Sequence, residues 1–299
     1  MKPRALILGG TGFVGPYLGR QLADRYSVAA TGRDHDIRNA DAIYDLVSRN
    51  RPDLVVNLAA ITTVRESFER SRETYETGFF GLDHLFGALQ ACGFSGRVLH
   101  VSSSEIYGFP RSEELPLTEA APPRPMSPYA VAKAAGELLC YQWAQQGRFE
   151  IFLARPFTHI GPGQSSRFAV AKFARQIAAI IAGKQEPVIA AGNLRTTRDL
   201  TDVRDIVRAY DAIIHRGEAG KAYNVCCGIE ITMLEVINKL IDLSNIAIKI
   251  VQNPLETRTS EQQRICGSYA ALSAATGWRP EVPLDRTLAD MIAHEREER

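Results

Sequence analysis

Five short apolar runs punctuate the first half of the chain: ALIL (5–8), SVAAT (27–31), LVVNL (54–58), RVLHV (97–101) and EIFLAR (150–155). They are apolar on both faces and separated by segments of helix length, such as 14–25 and 72–92. Only a strand covered on both sides can bury every side chain, so this rhythm predicts a doubly wound α/β fold around a parallel sheet. Beyond Pro156 the rhythm loosens into the loop HIGPGQ (159–164), a helix near 168–182 and short strands near 187–190 and 222–225. A smaller mixed α/β C-terminal lobe is expected there. The resulting division gives residues 1–157 and 200–228 to one domain and 158–199 and 229–299 to the other. Five prolines between Pro116 and Pro128 forbid regular structure and predict an extended loop over the site.

Bulk properties limit the partners. A chain of 299 residues, 45% hydrophobic, can bury a sizeable core. Thirty-five basic residues against 34 acidic ones leave a formal charge of +1, too weak a field to attract nucleic acid or an anionic membrane. No run approaches the ~20 apolar residues that span a bilayer. The five cysteines (92, 140, 226, 227 and 266) are scattered without CxxC spacing, so no disulfide framework or metal site is expected, and a reducing cytoplasm fits. A small-molecule ligand remains.

The segment ALILGGTGFVG closes the first strand with Gly9, Gly12 and Gly15 around Thr11, Phe13 and Val14. Missing Cβ atoms let the backbone approach a pyrophosphate while the next helix aims its N–H groups at the phosphates, the pattern of a dinucleotide site. The second strand ends in Thr31, Gly32 and Arg33, where NAD enzymes often carry a carboxylate for the ribose 2′-hydroxyl. An arginine suits a 2′-phosphate, which favours NADP(H); NAD(H) stays open if Asp34 serves the ribose instead. Asp36 and Ile37 follow within a minimal third strand, beside the adenine. Leu58, Ala59 and Ala60, closing a fourth strand, offer small side chains to the nucleotide.

In RPMSPYAVAK, Ser127 and Pro128 form a helix start, which places Tyr129 and Lys133 four apart on one face. A phenol with an ordinary pKa near 10 needs a neighbouring cation to stabilise its anion, and a lysine one turn away supplies it. Such a tyrosine works as an acid or base.

GGTGFVG, NLAA, the serines after RVLHV and YAVAK, in this order, resemble the extended short-chain dehydrogenase/reductase family and its Rossmann sheet. RPFTHIGPGQ (155–164), GNLRTTRDLTDVRDIVRAY (192–210), YNVCCG (223–228) and TGW (276–278) look most like the GDP-4-keto-6-deoxy-D-mannose reductases, relatives of the GDP-mannose 4,6-dehydratases. The resemblance implies a triad of Ser103, Tyr129 and Lys133: Ser103 on the substrate oxygen, Tyr129 as proton donor, Lys133 on the nicotinamide ribose. Ser102 and Ser104 would satisfy backbone groups or touch substrate hydroxyls. For a GDP-sugar, Arg198 matches the family's diphosphate position, and Arg258 with Glu261 its nucleoside ribose position; Thr158 and His159 lie near the sugar. Three departures bear on the substrate: Thr158 stands where relatives have asparagine, Gly78 replaces the asparagine of a TNVFG-like segment, and Thr259 replaces a proline.

Glu105 falls two residues after the triad serine, where dehydratases carry the carboxylate that removes a C5 proton. Reduction of a C4 ketone needs only one hydride and one proton. The reading therefore favours NADP(H)-dependent reduction of a GDP-4-keto-6-deoxyhexose, with GDP-mannose 4,6-dehydration through Glu105 as the alternative. A 4-epimerase and a non-catalytic cofactor-binding regulator are further readings. The helices carrying Phe79, Leu82, Leu85, Phe86 and Leu89, and Leu138, Leu139, Tyr141 and Trp143, hold more apolar surface than one sheet face needs; in relatives they form a two-fold interface, so a homodimer is expected.

Overall fold

The computed structural model describes residues 1–252 and 262–297. Arg258, Thr259 and Glu261, three of the positions singled out in the sequence, lie outside the described residues. The first half runs β1 (Arg4–Leu8), α1 (Val14–Leu22), β2 (Ser27–Thr31), α2 (Ala40–Asn50), β3 (Leu54–Asn57), α3 (Val64–Glu69), α4 (Ser71–Tyr75), a π-helical turn (Glu76–Phe80), α5 (Gly81–Ala91), β4 (Arg97–Val101), a 3-10 turn (Ser104–Tyr107), α6 (Pro128–Ala144) and β5 (Glu150–Pro156). The second half runs β6 (His159–Ile160), α7 (Ala169–Ile181), β7 (Val188–Ala191), β8 (Thr197–Asp199), β9 (Thr201–Asp202), α8 (Val203–Arg216), β10 (Ala222–Val225), β11 (Glu230–Thr232), α9 (Met233–Ser244), β12 (Lys249–Gln252), α10 (Ala270–Thr276) and α11 (Leu284–Glu297).

Six strands form the central sheet in the order β2-β1-β3-β4-β5-β10, all parallel. Alternate residues of each strand serve opposite faces, so the apolar runs divide cleanly. Ile7, Val56, Leu99 and Phe152 join Leu18 and Leu22 of α1 and Ile206, Tyr210 and Ile213 of α8 on one side. Leu6, Val55, Val98 and Ile151 join Ile43 of α2, and Leu82, Leu85 and Phe86 of α5, on the other. A separate core fills the C-terminal lobe, where α7, α9 and α11 bury Phe173, Ile177, Ile237, Leu240 and Leu288 with Ile189 of β7. β7 pairs with β12 in parallel, β8 with β11 antiparallel, and β6 with β9 in parallel.

One local expectation is corrected and a second is refined. No strand forms at Asp36 and Ile37: Asp36 turns back onto Arg38, and Ile37 is buried against α5 at Gly81, where a Cβ would fall 2.6 Å from the Ile37 Cγ2. The strand at 54–57 is accordingly the third. The helix expected over 72–92 forms without a gap from Ser71 to Ala91, but one π-helical turn at Glu76–Phe80 is set into it between α4 and α5. That turn lets Gly78 settle on α6, where an added Cβ would lie 2.8 Å from the Cβ of Ala132.

The contact explains why an asparagine is not accommodated here: neither backbone nor methyl group can yield. Gly78→Ala is expected to destabilise the protein by about 1–3 kcal/mol, the usual cost of overpacking, and Ala132→Gly in the same chain to recover most of it. Urea unfolding of the single and double variants measures both.

Candidate active site

All six sheet strands point the same way, so their carboxyl ends share one edge, where ligands of open parallel sheets bind. At the end of β1 the chain turns sharply. Gly9 has φ +72°, and a Cβ there would sit 2.8 Å from Ala59 N, so the turn lies directly on the end of β3. A Cβ on Gly15 would lie 1.9 Å from Gly10 O, which no side chain allows. Gly10 N donates to Thr31 O and Gly12 N to Gly9 O, leaving Thr11 and Gly12 exposed above the start of α1. Phe13 and Val14 begin that helix, and Leu58, Ala59 and Ala60 line the adjoining edge half-buried. A backbone cradle bare of side chains and facing a helix N-terminus fits the pyrophosphate of a dinucleotide.

At the end of β2, Arg33 is exposed. The carboxylate of Asp34 accepts from Gly32 N at 2.8 Å and pairs with His35 at 2.7 Å. Asp36 is held by Arg38 at 2.6 Å. Both carboxylates near the ribose position thus have cationic or N–H partners, while an arginine stands open beside them.

The end of β4 carries the reacting groups. Ser103 is extended, and its Oγ accepts from Glu105 N at 3.2 Å, capping the 3-10 turn that follows. The side chain of Ser127 caps α6 by accepting from Ala130 N at 3.1 Å, with Pro128 in the first turn. Such a cap contributes ~1 kcal/mol and fixes where the helix begins, hence where Tyr129 points. The Ser103 hydroxyl faces the Tyr129 phenol closely enough to act on its ionisation. Burial pushes the phenol up to about 12; the Ser103 hydroxyl lowers it and the Glu105 carboxylate raises it. One turn on, the Lys133 ammonium donates to Val101 O at 2.6 Å and stands 5.9 Å from the Tyr129 ring centre. Burial brings Lys133 down to about 8, against the charge of Glu137, which raises it.

Glu105 is half-buried in the 3-10 turn, and Ser104 is buried beside it. Ser102 is likewise buried, but its hydroxyl has no partner among the described residues, so of its two expected roles it does not fill the backbone one. The proline-rich loop runs along the turn, joined to it by Arg124 N donating to Ile106 O at 2.7 Å. Farther along the edge, Thr158 is exposed and His159 half-buried. Arg198 on β8 donates to Thr197 O and Gln262 O at 2.7 and 2.9 Å, which anchors it across the C-terminal lobe.

A family model described as GDP-mannose 4,6 dehydratase matches residues 27–291. The chain is 39% identical over 296 residues to GDP-6-deoxy-D-mannose reductase of Pseudomonas aeruginosa, covering 98% of this chain and 97% of that one. The chain belongs to the GDP-mannose 4,6 dehydratase family. Among solved structures, RMD from Pseudomonas aeruginosa complexed with NADPH superposes with a TM-score of 0.91 at 38% identity, covering 99% of both chains. The UDP-glucose 4-epimerase of Thermus thermophilus in complex with NAD follows the same fold at a TM-score of 0.86 and 27% identity, covering 98% of this chain and 99% of that one.

Behind the reacting groups this family member carries a buried polar network that the sequence reading missed. Arg155, ending β5, forks onto Glu137 of α6 at 2.7 and 3.0 Å and donates to the Tyr107 hydroxyl at 2.9 Å. Tyr107 donates in turn to Asn224 Oδ1 at 2.7 Å. The network clamps the 3-10 turn to β5, α6 and β10. A second anchor is Asp199, fully buried, whose carboxylate accepts from the N–H groups of Cys227, Gly228 and Gly267. The only hints were the spacing of Glu137 one turn beyond Lys133 and the motifs EIYG and RPF, which state no partner.

Lys133 titrates near 8 in the folded chain and near ~10.4 when unfolded, so the unfolded state binds the extra proton between these limits and stability rises with pH there. Compared with Lys133→Met, the native protein is expected to gain about 2–3 kcal/mol between pH 7.5 and 10.5. Urea unfolding of the pair across that range tests it.

Proposed function

We propose that the protein reduces the C4 ketone of a GDP-4-keto-6-deoxyhexose with NADPH, the type of reaction that completes GDP-D-rhamnose. The observation that carries this reading is the convergence of Ser103, Tyr129 and the Lys133 ammonium, 5.9 Å from the Tyr129 ring centre, in a chain 39% identical to a GDP-6-deoxy-D-mannose reductase. The dinucleotide, when bound, supplies the hydride. Tyr129 keeps its proton at neutral pH and gives it from the phenol oxygen to the developing alkoxide. Ser103 holds the same substrate oxygen, which orients the carbonyl, and Lys133 stabilises the phenolate left behind while binding the nicotinamide ribose. The open Arg33, with Asp34 engaged elsewhere, supports NADP(H) over NAD(H).

In this reading residues 1–157 and 200–228 bind the dinucleotide, and 158–199 and 229–299 bind the nucleotide sugar through Arg198, Thr158 and His159. The Glu105 carboxylate bears on Tyr129, which keeps 4,6-dehydration as the second reading. Phe68 of α3, Tyr75 of α4 and Phe80 of the π-helical turn, on elements packed against α6, are exposed, as are Val131, Leu138 and Tyr141 of α6 itself. They support a homodimer across α4 and α6, although Leu82, Leu85, Phe86 and Leu89, expected to contribute, are wholly buried in the core instead. The described residues include no helix long and apolar enough to cross a membrane. A reducing cytoplasm is the proposed setting, on the scattered spacing of the five cysteines.

NMR of products separates the readings. GDP-4-keto-6-deoxymannose with NADPH should give the 4-hydroxy sugar with one NADPH oxidised per turnover; loss of water from GDP-mannose with NADP+ instead would establish the dehydratase, and no turnover of either the regulator. Tyr129→Phe should retain cofactor affinity while kcat falls ~10²- to 10⁴-fold. For assembly, Leu138→Glu is expected to convert a dimer to a monomer in light scattering at micromolar concentration; a monomeric native protein would remove the dimer.

A further inference from the structure

The start of α1 touches the opposite lobe at three points. The Phe13 ring stacks in parallel on the His159 ring, 6.1 Å between centres and 3° between planes. Phe13 Cζ also lies against the backbone of Gly161, where an added Cβ would be 3.5 Å away and where Val203 leaves no room, at 2.6 Å. One turn along, the Tyr17 hydroxyl donates to Pro162 O at 2.8 Å. The loop 159–162 therefore rests on the helix whose N-terminus closes the dinucleotide cradle. Within the loop, His159 Nδ1–H donates to Phe157 O at 3.2 Å and Gln164 donates to His159 O at 2.9 Å, so both ends of the loop follow the position of His159. Burial lowers the His159 pKa, so two uncharged rings meet, an arrangement worth more than the area it covers.

Phe13 belongs to the glycine turn and His159 to the stretch leading into the nucleotide-sugar lobe. A ligand that fixes the turn must fix the Phe13 ring, and a ring fixed on one side of a stack restrains the other.

We propose that His159 is a positioning residue that couples the two ligand sites: occupancy of the dinucleotide turn orders loop 159–164 through the Phe13–His159 stack and so raises affinity for the nucleotide sugar. The inference rests on the reading given under Proposed function and is compatible with a sugar contact from the same ring. Coupling between binding sites is reciprocal, so a bound nucleoside diphosphate must tighten dinucleotide binding by the same factor.

Amide hydrogen exchange with NADP+ alone tests the link without any sugar. The amides of 159–161 and 163–164 should slow at least ~5-fold on NADP+ binding, the lower end of ordinary coupling. His159→Ala should abolish this slowing while the amides of 9–15 remain protected, and His159→Phe, which keeps a flat ring, should restore it. In calorimetry GDP should bind at least ~5-fold tighter with NADP+ present, a gain lost in His159→Ala and kept in His159→Phe. Loop exchange unmoved by NADP+ in the native chain, or slowing that survives in His159→Ala, overturns the proposal. Should His159→Ala fail to fold, Phe13→Leu removes the ring from the other side and is read in the same way. A failure of the reductase reading shows separately, as absent turnover with the loop still ordered by NADP+.

Discussion

The ammonium of Lys133, buried on α6 and donating to the carbonyl that ends β4, holds the site in register. A charge taken out of water is costly unless hydrogen-bonded, so the bond to Val101 O ties the helix to the strand at one height. With α6 so placed, Tyr129 stands one turn earlier on the same face and meets Ser103, the second residue beyond that carbonyl. A helix shifted by one residue would turn the phenol away by about 100°. Small residues permit the close approach: Gly136 of α6 lies under His100 of β4, and Gly78 of the π-helical turn lies under Ala132 of α6.

The electrostatics of the edge pull in opposite directions. Burial makes Lys133 a weaker base and Tyr129 a weaker acid, and Glu105 adds to the second effect. The phenol therefore keeps its proton until a reaction withdraws it, which suits a proton donor better than a resting base. Further back, the Arg155–Glu137 pair places a negative charge near Lys133 while its hydrogen bonds to Tyr107 reach the turn that carries Ser103 and Glu105. A buried, fully bonded network of this kind supplies rigidity, since a group lost from it leaves its partners unsatisfied.

The two lobes meet along the same edge through different chemistry. Asp199 draws three backbone N–H groups from two separate segments, 227–228 and 267, around one carboxylate, which gives the C-terminal lobe a fixed rim. The glycine turn and loop 159–162 meet through rings and one phenol hydroxyl. The first contact is buried and strongly directional; the second is half-exposed.

Local pattern and spacing alone determined much of this. Strands apolar on both faces have one stable setting, and Ser127 with Pro128 starts a helix wherever the chain goes, so the parallel sheet, the glycine turn and the Tyr129–Lys133 face were legible. What depends on contact between distant segments was not. The π-helical turn within helix 72–92 seats Gly78 on Ala132, and periodicity registers only an apolar helix there. The absent strand at 36–37 reflects an ion pair and a packing contact made after folding. Arg155, Glu137, Tyr107 and Asn224 are separated by up to 117 residues, and nothing local marks four polar side chains as partners. Sequence fixes which groups a helix or strand presents together, because that geometry is set by the backbone; which of them meet across the fold is decided only when burial forces each polar atom to find a partner.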